Sequence, residues 1–307
     1  LINVARVLKL SWFAKVSKHW AATHSSKVIA RLENDLFPYI GARPISEITA
    51  PELLAALRKI EKRGAIDTAH RARQTAGQVF RYAIATGRAS RDTASDLRGA
   101  LASVRGGHFA AATDPGTVAA LLNAIQDYNG TLSVQCALRL APLLFVRPGE
   151  LRTAEWKDID LDTAEWRFVT SKTGIAHIVP LAWQAVAILR ELLPLTGRGR
   201  YVFPSARSFS RPMSDNALLA AMRRMGIEKS EMSGHGWRAT ARTMLDELLQ
   251  FPPHIIEHQL AHAVRDPLGR AYNRTAHLAE RKIMMQRWAD YLDELRAGAE
   301  IIRLHGG

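Results

Sequence analysis

Apolar residues in the first hundred positions recur every three or four residues, the spacing of one buried helix face. They form three stripes. The first should end at Pro38 and Gly41, the second begins at the N-cap residue Thr49 followed by Pro51, and the third opens at Asp67. This part of the chain is therefore predicted to be all-helical, with these inward faces: Val28, Ile29, Leu32 and Leu36; Leu53, Leu54, Leu57 and Ile60; Ala69, Ala72, Ala76, Val79, Phe80 and Ala83.

The pattern changes after residues 105–112, which interrupt the helical periodicity and are predicted to be a linker. Two short β-branched segments, Glu165–Val169 and 175–179, flank a turn that contains Lys172, so a β-hairpin is expected there. The fold class is therefore mainly α with a small antiparallel β-sheet (α+β). Helices are predicted in the rest of this half at 115–125, 132–144, 183–193, 216–225, 236–249, 253–262 and 284–295.

Positive charge is concentrated in the helical third of the chain. The whole sequence has 42 Lys and Arg against 29 Asp and Glu, a net charge of +13, and residues 1–104 alone contribute 17 against 8, or +9. Such an excess suits a polyanion such as DNA, although a solvated helix face is the alternative for any single charge. The side chains that we expect to face DNA are Lys62, Arg63, Arg71, Arg73 and Arg81.

The only cysteine, Cys136, excludes an intramolecular disulfide and a thiolate-rich metal site. No segment approaches the roughly 18 apolar residues of a membrane span, and no signal-peptide pattern is present. We therefore expect a cytoplasmic, nucleoid-associated protein without a membrane partner. Leu rather than Met at position 1 indicates a trimmed chain.

Four short islands contain residue types that act in catalysis. Taken singly, such residues have an ordinary explanation. Arg147 and Glu150 could be a helix-start ion pair, and Lys172 could be a solvated turn lysine. Their combined order over about 125 residues is far less ordinary. The islands are Arg147-Pro148-Gly149-Glu150, Lys172 in the predicted turn, His235-Gly236-Trp237-Arg238, and His262 followed ten residues later by Tyr272.

These islands resemble the tyrosine recombinase family, in particular the integrases of satellite phages and genomic islands. The likeness extends over about residues 12–296. It implies an all-helical core-binding domain at 1–104, the linker at 105–112 and a catalytic domain at 113–307, with an arm-site DNA-binding domain removed from the N-terminus. The family more often has Thr-Gly-x-Arg at the first arginine, where this chain has Phe145-Val146 before Arg147. The supporting phrases are RLENDLFPYIGARPISEIT, APLLFVRPGELR, HIVPL, GRGRYVFPS, GHGWRATART and RDPLGRAYNRT.

The resemblance implies a site-specific DNA recombinase that needs no metal or other cofactor. Two guanidiniums can bind the non-bridging oxygens of a phosphodiester without losing their protons. The implied roles are Arg147 and Arg238 as phosphate ligands, Tyr272 as the nucleophile that forms a 3′-phosphotyrosine, and Lys172 as general acid. His235 and His262 would bind the phosphate or manage protons, and Glu150 would orient its neighbours.

The implied partners are double-stranded DNA attachment sites and a homotetramer in the synaptic complex, with room for a directionality factor and a host DNA-bending protein. A DNA-binding regulator and a type IB topoisomerase-like enzyme remain as alternatives. A zinc enzyme would use His254, His258 and His262, but Gln259 stands where its general-base glutamate is required. The late stripe could pack on a neighbouring protomer or on its own domain: Met284, Trp288, Leu292 and Leu295.

Overall fold

The computed structural model describes residues 3, 11–104, 110–262 and 277–298. By its contacts the chain divides into two compact units, Leu1–Gly107 and His108–Gly307. Both are mainly helical, and the second also contains small antiparallel sheets, so the predicted fold class is confirmed. Within the described ranges no helix is long and apolar enough to cross a membrane.

The first unit contains helices joined by short turns. Helix α4 (Ala50–Lys62) begins at the predicted N-cap residue Thr49. The backbone N–H of Thr49 donates to Glu52 Oε2 at 2.9 Å, as part of a capping box. The elements are α1 (Phe13–Val16), α2 (Ala22–Asp35), α3 (Phe37–Ile40), α4 (Ala50–Lys62) and α5 (Ile66–Ala85), with 3₁₀ turns at Ser17–His19 and Ile45–Glu47.

The core of this unit consists largely of the predicted stripes. Helix α5 buries all six of its predicted positions. The first stripe differs in its end: α2 stops at Asp35, and Pro38 lies in the first turn of α3 instead of ending a helix. The reason is that the missing N–H of a proline costs nothing at that position, where no intrahelical partner exists.

In the described part of the second unit, helices are combined with two small antiparallel sheets. The first sheet has the antiparallel order β1-β2-β3 and contains the predicted hairpin, β2-β3. The second sheet is the hairpin β4-β5, which was not predicted because its strands are short and contain prolines instead of β-branched residues. The helices are α6 (Pro115–Gln126), α7 (Leu132–Leu144), α8 (Pro148–Arg152), α9 (Trp183–Thr196), α10 (Ala217–Arg224), α11 (Gly236–Glu247), α12 (Pro253–Gln259) and α13 (Leu278–Arg296), with a 3₁₀ turn at Trp156–Asp158; the strands are β1 (Ile159–Asp160), β2 (Glu165–Val169), β3 (Ala176–Pro180), β4 (Pro204–Ser205) and β5 (Ser208–Pro212).

Helix α13 is a core element of its own unit. Trp288 is completely buried, donates from Nε1 to the carbonyl of Pro142 at 2.9 Å and meets Phe145 edge to face. The idea that its apolar stripe packs on a neighbouring protomer is therefore wrong. Helical spacing defines the face of a helix but not the surface that covers it, so the sequence left both arrangements open. The buried stripe is Met284, Trp288, Leu292 and Leu295.

Candidate active site

Arg147 lies at the entry to helix α8, where Pro148 occupies the first turn. Glu150 is buried and binds Arg147 twice: Oε2 accepts from the backbone N–H at 3.1 Å and Oε1 from Nη1 at 3.0 Å. The ordinary helix-start ion pair therefore exists. It also orients the guanidinium, whose side chain keeps 15% of its surface exposed.

Arg238 lies in the first turn of helix α11 and reaches across to two other elements. Its Nη1 donates to the carbonyl of Phe145 at 3.0 Å, and its Nη2 to the carbonyl of Leu260 at 2.7 Å. Burial and the nearby charge of Arg147 lower the pKa of Arg238 to about 10. The guanidinium therefore stays charged at neutral pH, and two cations share one region of the unit.

The end of helix α12 brings these cations together through three successive backbone carbonyls. The carbonyl of Gln259 accepts from His177 Nε2 at 3.1 Å, that of Leu260 accepts from Arg238, and that of Ala261 accepts from Arg147 Nη2 at 3.5 Å. The last carbonyls of a helix lack intrahelical donors and carry partial negative charge, so they suit cationic donors. This helix end is the element that positions both arginines.

His262 follows directly and is held from both ring nitrogens. Its Nε2 lies 3.1 Å from Arg238 Nη2, and its Nδ1 lies 2.6 Å from Glu257 Oε2. Because a guanidinium can only donate, Nε2 is the acceptor and the Nδ1 proton points to Glu257. Burial acts to raise the pKa of Glu257, but hydrogen bonds from His262 and Arg242 outweigh it and hold the pKa below its ordinary value. An ionised carboxylate therefore fixes the imidazole.

Lys172 lies in the exposed turn between β2 and β3. The turn is closed by hydrogen bonds from the Thr170 N–H to the Ile175 carbonyl at 2.8 Å and from the Gly174 N–H to the Thr170 carbonyl at 2.9 Å. Gly174 has φ +67°, in the left-handed region that glycine adopts most readily. The predicted hairpin thus presents the ammonium group to solvent at its tip.

His235 lies just before helix α11, close to the charges of Arg238 and Arg147. Partial burial, followed by the charges of Arg238 and Arg147, lowers its pKa, and Lys172 acts in the same direction. The imidazole is therefore uncharged at neutral pH.

Hydrogen bonds and ion pairs bring together four of the seven proposed catalytic residues, Arg147, Glu150, Arg238 and His262. His235 precedes the helix that carries Arg238, and Lys172 lies at the tip of the hairpin between β2 and β3. The seventh, Tyr272, lies outside the described residues. Sequence reasoning missed Glu257, which holds His262, the half-buried His177, and the buried residues Gln259 and Arg281. Only Glu257 left a signal, as an acidic residue five positions before His262. No periodicity pattern marks a polar contact between different elements.

The five basic residues predicted to face DNA differ in their surroundings. Lys62 is exposed, and no partner for it occurs among the described residues. The guanidinium of Arg73 reaches the Ala94 carbonyl at 3.3 Å. The other three form ion pairs with carboxylates: Arg63 with Asp35, Arg71 with Asp67 at 2.6 Å, and Arg81 with Asp92 at 2.7 Å.

The histidines that a zinc enzyme would use do not converge. His254 and His258 contact the ring of His277, with centroids 4.9 and 5.2 Å apart, whereas His262 is bound to Glu257 and Arg238. Across the described ranges no group of three or more His, Cys, Asp or Glu is placed to hold a metal ion.

Comparison with known proteins gives consistent matches over both units. The profile of the phage integrase family matches residues 112–278, and that of the phage integrase central domain matches residues 6–100. The integrase of Enterobacteria phage P4 is 35% identical over 298 residues, covering 92% of this chain and 67% of that relative. Prophage integrase IntZ of Escherichia coli (strain K12) is 37% identical over 289 residues, covering 94% and 70%.

Solved structures share the fold at lower identity. A lambda integrase (75–356) dimer bound to a COC′ core site has a TM-score of 0.68 at 20% identity, and the match covers 89% of this chain and 99% of that one. A lambda integrase tetramer bound to a Holliday junction has a TM-score of 0.67 at 20% identity, with coverage of 86% and 78%.

Proposed function

The chain belongs to the phage integrase family and is a tyrosine-type site-specific DNA recombinase, and from this premise we propose that Tyr272 is its nucleophile. The site would cut and rejoin DNA at the attachment sites of a mobile element through a 3′-phosphotyrosine. The observation that carries the proposal is the convergence of Arg147, Arg238 and His262 at the end of helix α12. Tyr272 follows His262 by ten residues.

The two arginines would bind the non-bridging oxygens of the scissile phosphate. Negative charge builds on these oxygens as the tyrosine oxygen attacks phosphorus, so fixed cations stabilise the transition state more than the ground state. Both guanidiniums are already oriented, Arg147 by Glu150 and Arg238 by the Phe145 and Leu260 carbonyls. Little reorganisation is therefore needed when DNA binds.

The proton transfers can be assigned to neighbouring groups. Tyr272 Oη forms a bond to phosphorus and loses its proton as the bond from phosphorus to the 5′ oxygen breaks. We assign the proton that the leaving 5′ oxygen needs to Lys172, which lies at the exposed tip of the hairpin between β2 and β3. His262, held by Glu257 and Arg238, would bind the phosphate or take up the tyrosine proton. The phosphotyrosine preserves the energy of the broken bond, so attack by a new 5′ hydroxyl rejoins DNA without ATP.

The assembly is proposed by analogy with a solved relative. Lambda integrase has been solved as a tetramer on a Holliday junction, and we propose that this chain also forms a homotetramer when two attachment sites are paired. The basic residues of the first unit, Lys62, Arg63, Arg71, Arg73 and Arg81, would contact the DNA backbone. A directionality factor, a host DNA-bending protein and a cytoplasmic, nucleoid-associated location remain predictions. The boundaries 1–104, 105–112 and 113–307 are proposed as the functional domains.

A covalent trapping experiment tests the proposal. On a nicked suicide substrate with a candidate attachment site, the wild-type chain should form a protein–DNA adduct that is stable to denaturation. Tyr272→Phe removes only the nucleophilic oxygen, so a gel shift should persist while the adduct disappears. Tyr201→Phe, whose ring contacts Arg200 away from the site, is the matched control and should form the adduct.

The alternatives predict other results. A DNA-binding regulator would shift the DNA without forming an adduct in the wild-type chain. A type IB topoisomerase-like enzyme would relax supercoils on DNA that lacks any attachment site. An adduct that survives in Tyr272→Phe would disprove the assignment of the nucleophile.

A further inference from the structure

Arg281 is a buried cation behind the proposed site. It lies in the first turn of helix α13 and is 2% exposed. Its Nε and Nη2 donate to Gln259 Oε1 at 2.9 and 2.7 Å, and Nη2 also donates to the backbone carbonyl of Ile178. Burial lowers the pKa of Arg281 to about 10, so the side chain remains charged at neutral pH.

This arrangement stabilises the core less than an apolar pair of side chains would. Among the described residues no carboxylate forms an ion pair with Arg281, and the buried Nε2 of Gln259 has no hydrogen-bond partner. A buried charge without a counter-charge and an unpaired amide both cost stability, and an apolar pair of similar volume would avoid both costs. A role beyond packing would explain why a buried cation occupies this position.

The contacts of Arg281 lead directly to the residues of the proposed site. Gln259 is the last residue of helix α12, and its backbone carbonyl accepts from His177. The next two carbonyls, those of Leu260 and Ala261, accept from Arg238 and Arg147. Arg281 binds the side chain of Gln259 and, at the same time, the strand residue next to His177. The guanidinium thus links strand β3 to the helix end whose following carbonyls accept hydrogen bonds from Arg238 and Arg147.

We propose that Arg281 is a positioning residue for strand cleavage, acting through Gln259 on Arg238, Arg147 and His262. The inference rests on the proposed function, because strand cleavage at this site is the step that Arg281 would support. It differs from a packing role in one respect: the loss of Arg281 should slow chemistry even in a variant that is folded and binds DNA.

Arg281→Met removes the charge and the donors while keeping a chain of similar length. The single-turnover rate of adduct formation on the suicide substrate should fall about 10²-fold, the effect of a misplacement of about 1 Å at a reacting centre. The dissociation constant for the same DNA should stay close to that of the wild type, because Arg281 is buried and does not face the duplex. Arg281→Lys should rescue little, since an ammonium cannot reproduce the fork of a guanidinium.

The double variant Gln259→Leu with Arg281→Met separates positioning from stability. It replaces the buried polar pair with an apolar pair, so its melting temperature should return to or exceed that of the wild type, while adduct formation stays slow. This variant carries the test if Arg281→Met alone does not fold. The matched control is Arg287→Met on the same helix, where the side chain is 47% exposed and paired with Glu294. It should cleave at the wild-type rate.

A folded double variant that cleaves at the wild-type rate would overturn the inference. So would a loss of cleavage in Arg281→Met that merely follows the fraction of folded protein. Failure of the proposed function has a different signature, namely no adduct with the wild-type chain or an adduct that survives in Tyr272→Phe. Those results would reject the site itself, whereas an active wild type with an equally active double variant rejects only the role of Arg281.

Discussion

Phe145 has a strained backbone conformation and contacts one of the two arginines of the proposed site. It caps helix α7 in the left-handed region, with φ +35°, a conformation that costs a non-glycine residue about 1–3 kcal/mol. Its ring is buried against Trp288, and its carbonyl accepts the hydrogen bond of Arg238. The backbone therefore keeps the turn that aims the carbonyl, and burial of the ring offsets the strain.

Lys172 is the residue whose role can be isolated most directly by substrate chemistry. A general acid contributes about 10²–10⁴-fold, so Lys172→Ala should cleave ordinary DNA slower by at least about 10²-fold. A 5′-bridging phosphorothiolate has a leaving group that needs no proton, and the variant should cleave it at nearly the wild-type rate. The measurement is the single-turnover rate on both substrates. Equal slowing on both would make Lys172 a phosphate ligand rather than the acid.

His177 makes the stability of the second unit depend on pH. Burial and the charge of Arg281 lower its pKa from the ordinary 6.5 to about 3. Between those values the unfolded chain binds a proton that the folded chain does not, so stability is full above about pH 6.5 and falls as the pH falls.

A non-titrating variant isolates this effect. Wild type should lose about 1.4 kcal/mol of unfolding free energy between pH 7.5 and 5.5 relative to His177→Gln, whose amide can still donate to the Gln259 carbonyl. Urea unfolding at the two pH values measures the difference. If the gap between the two proteins is the same at both pH values, the imidazole is not held neutral in the fold.

At the scale of elements, the sequence predicted the helices and strands that have one regularly spaced buried face. It did not predict the features that depend on hydrogen bonds between different elements. The stripes of α4 and α5 and the hairpin of β2 and β3 follow from spacing and β-branched residues, because each reflects one buried face. The end of α12 could not be predicted. Its role depends on three backbone carbonyls that accept hydrogen bonds from His177, Arg238 and Arg147. Every residue has a backbone carbonyl, so the sequence does not show which ones accept these bonds. Catalytic residue types in a family order led to the proposed site, but not to the helix end that joins its side chains.

Helix α13 is the element whose removal should matter most for folding. Trp288→Ala deletes a completely buried indole and should cost about 3–5 kcal/mol of unfolding free energy in the second unit. Deleting the helix from residue 278 onward should leave that unit unfolded. Ile283→Ala on the same helix is the control, because Ile283 is 66% exposed and its truncation should change stability by less than about 0.5 kcal/mol. Thermal melting of the three proteins measures these effects. A stable truncated unit would contradict the assignment of α13 to the core.

At the scale of the whole molecule, charge and chemistry are divided between the two units. The first unit carries most of the positive charge, +9 for residues 1–104 against +13 for the chain, and the second carries the arginine pair. Three of the basic side chains predicted to face DNA already have a carboxylate partner. Arg63 is the clearest case, because its partner Asp35 is 5% exposed and would be left as a buried unpaired carboxylate if Arg63 were removed. Lys62, by contrast, forms no ion pair among the described residues, so its removal leaves no buried carboxylate behind.

This difference makes Lys62 the position at which a phosphate contact can be separated from net charge. Each phosphate neutralised by a cation adds about 0.9 to the slope of log binding constant against log salt concentration. Lys62→Ala should therefore reduce that slope by about 0.9. Lys229→Ala removes the same formal charge from an exposed turn of the second unit, outside the predicted DNA-facing set, and should leave the slope nearly unchanged. Gel shifts of one DNA duplex over a series of salt concentrations give both slopes. Equal, small changes in the two variants would mean that Lys62 contributes only to the overall field of the protein, and that the DNA-facing surface of the first unit lies elsewhere.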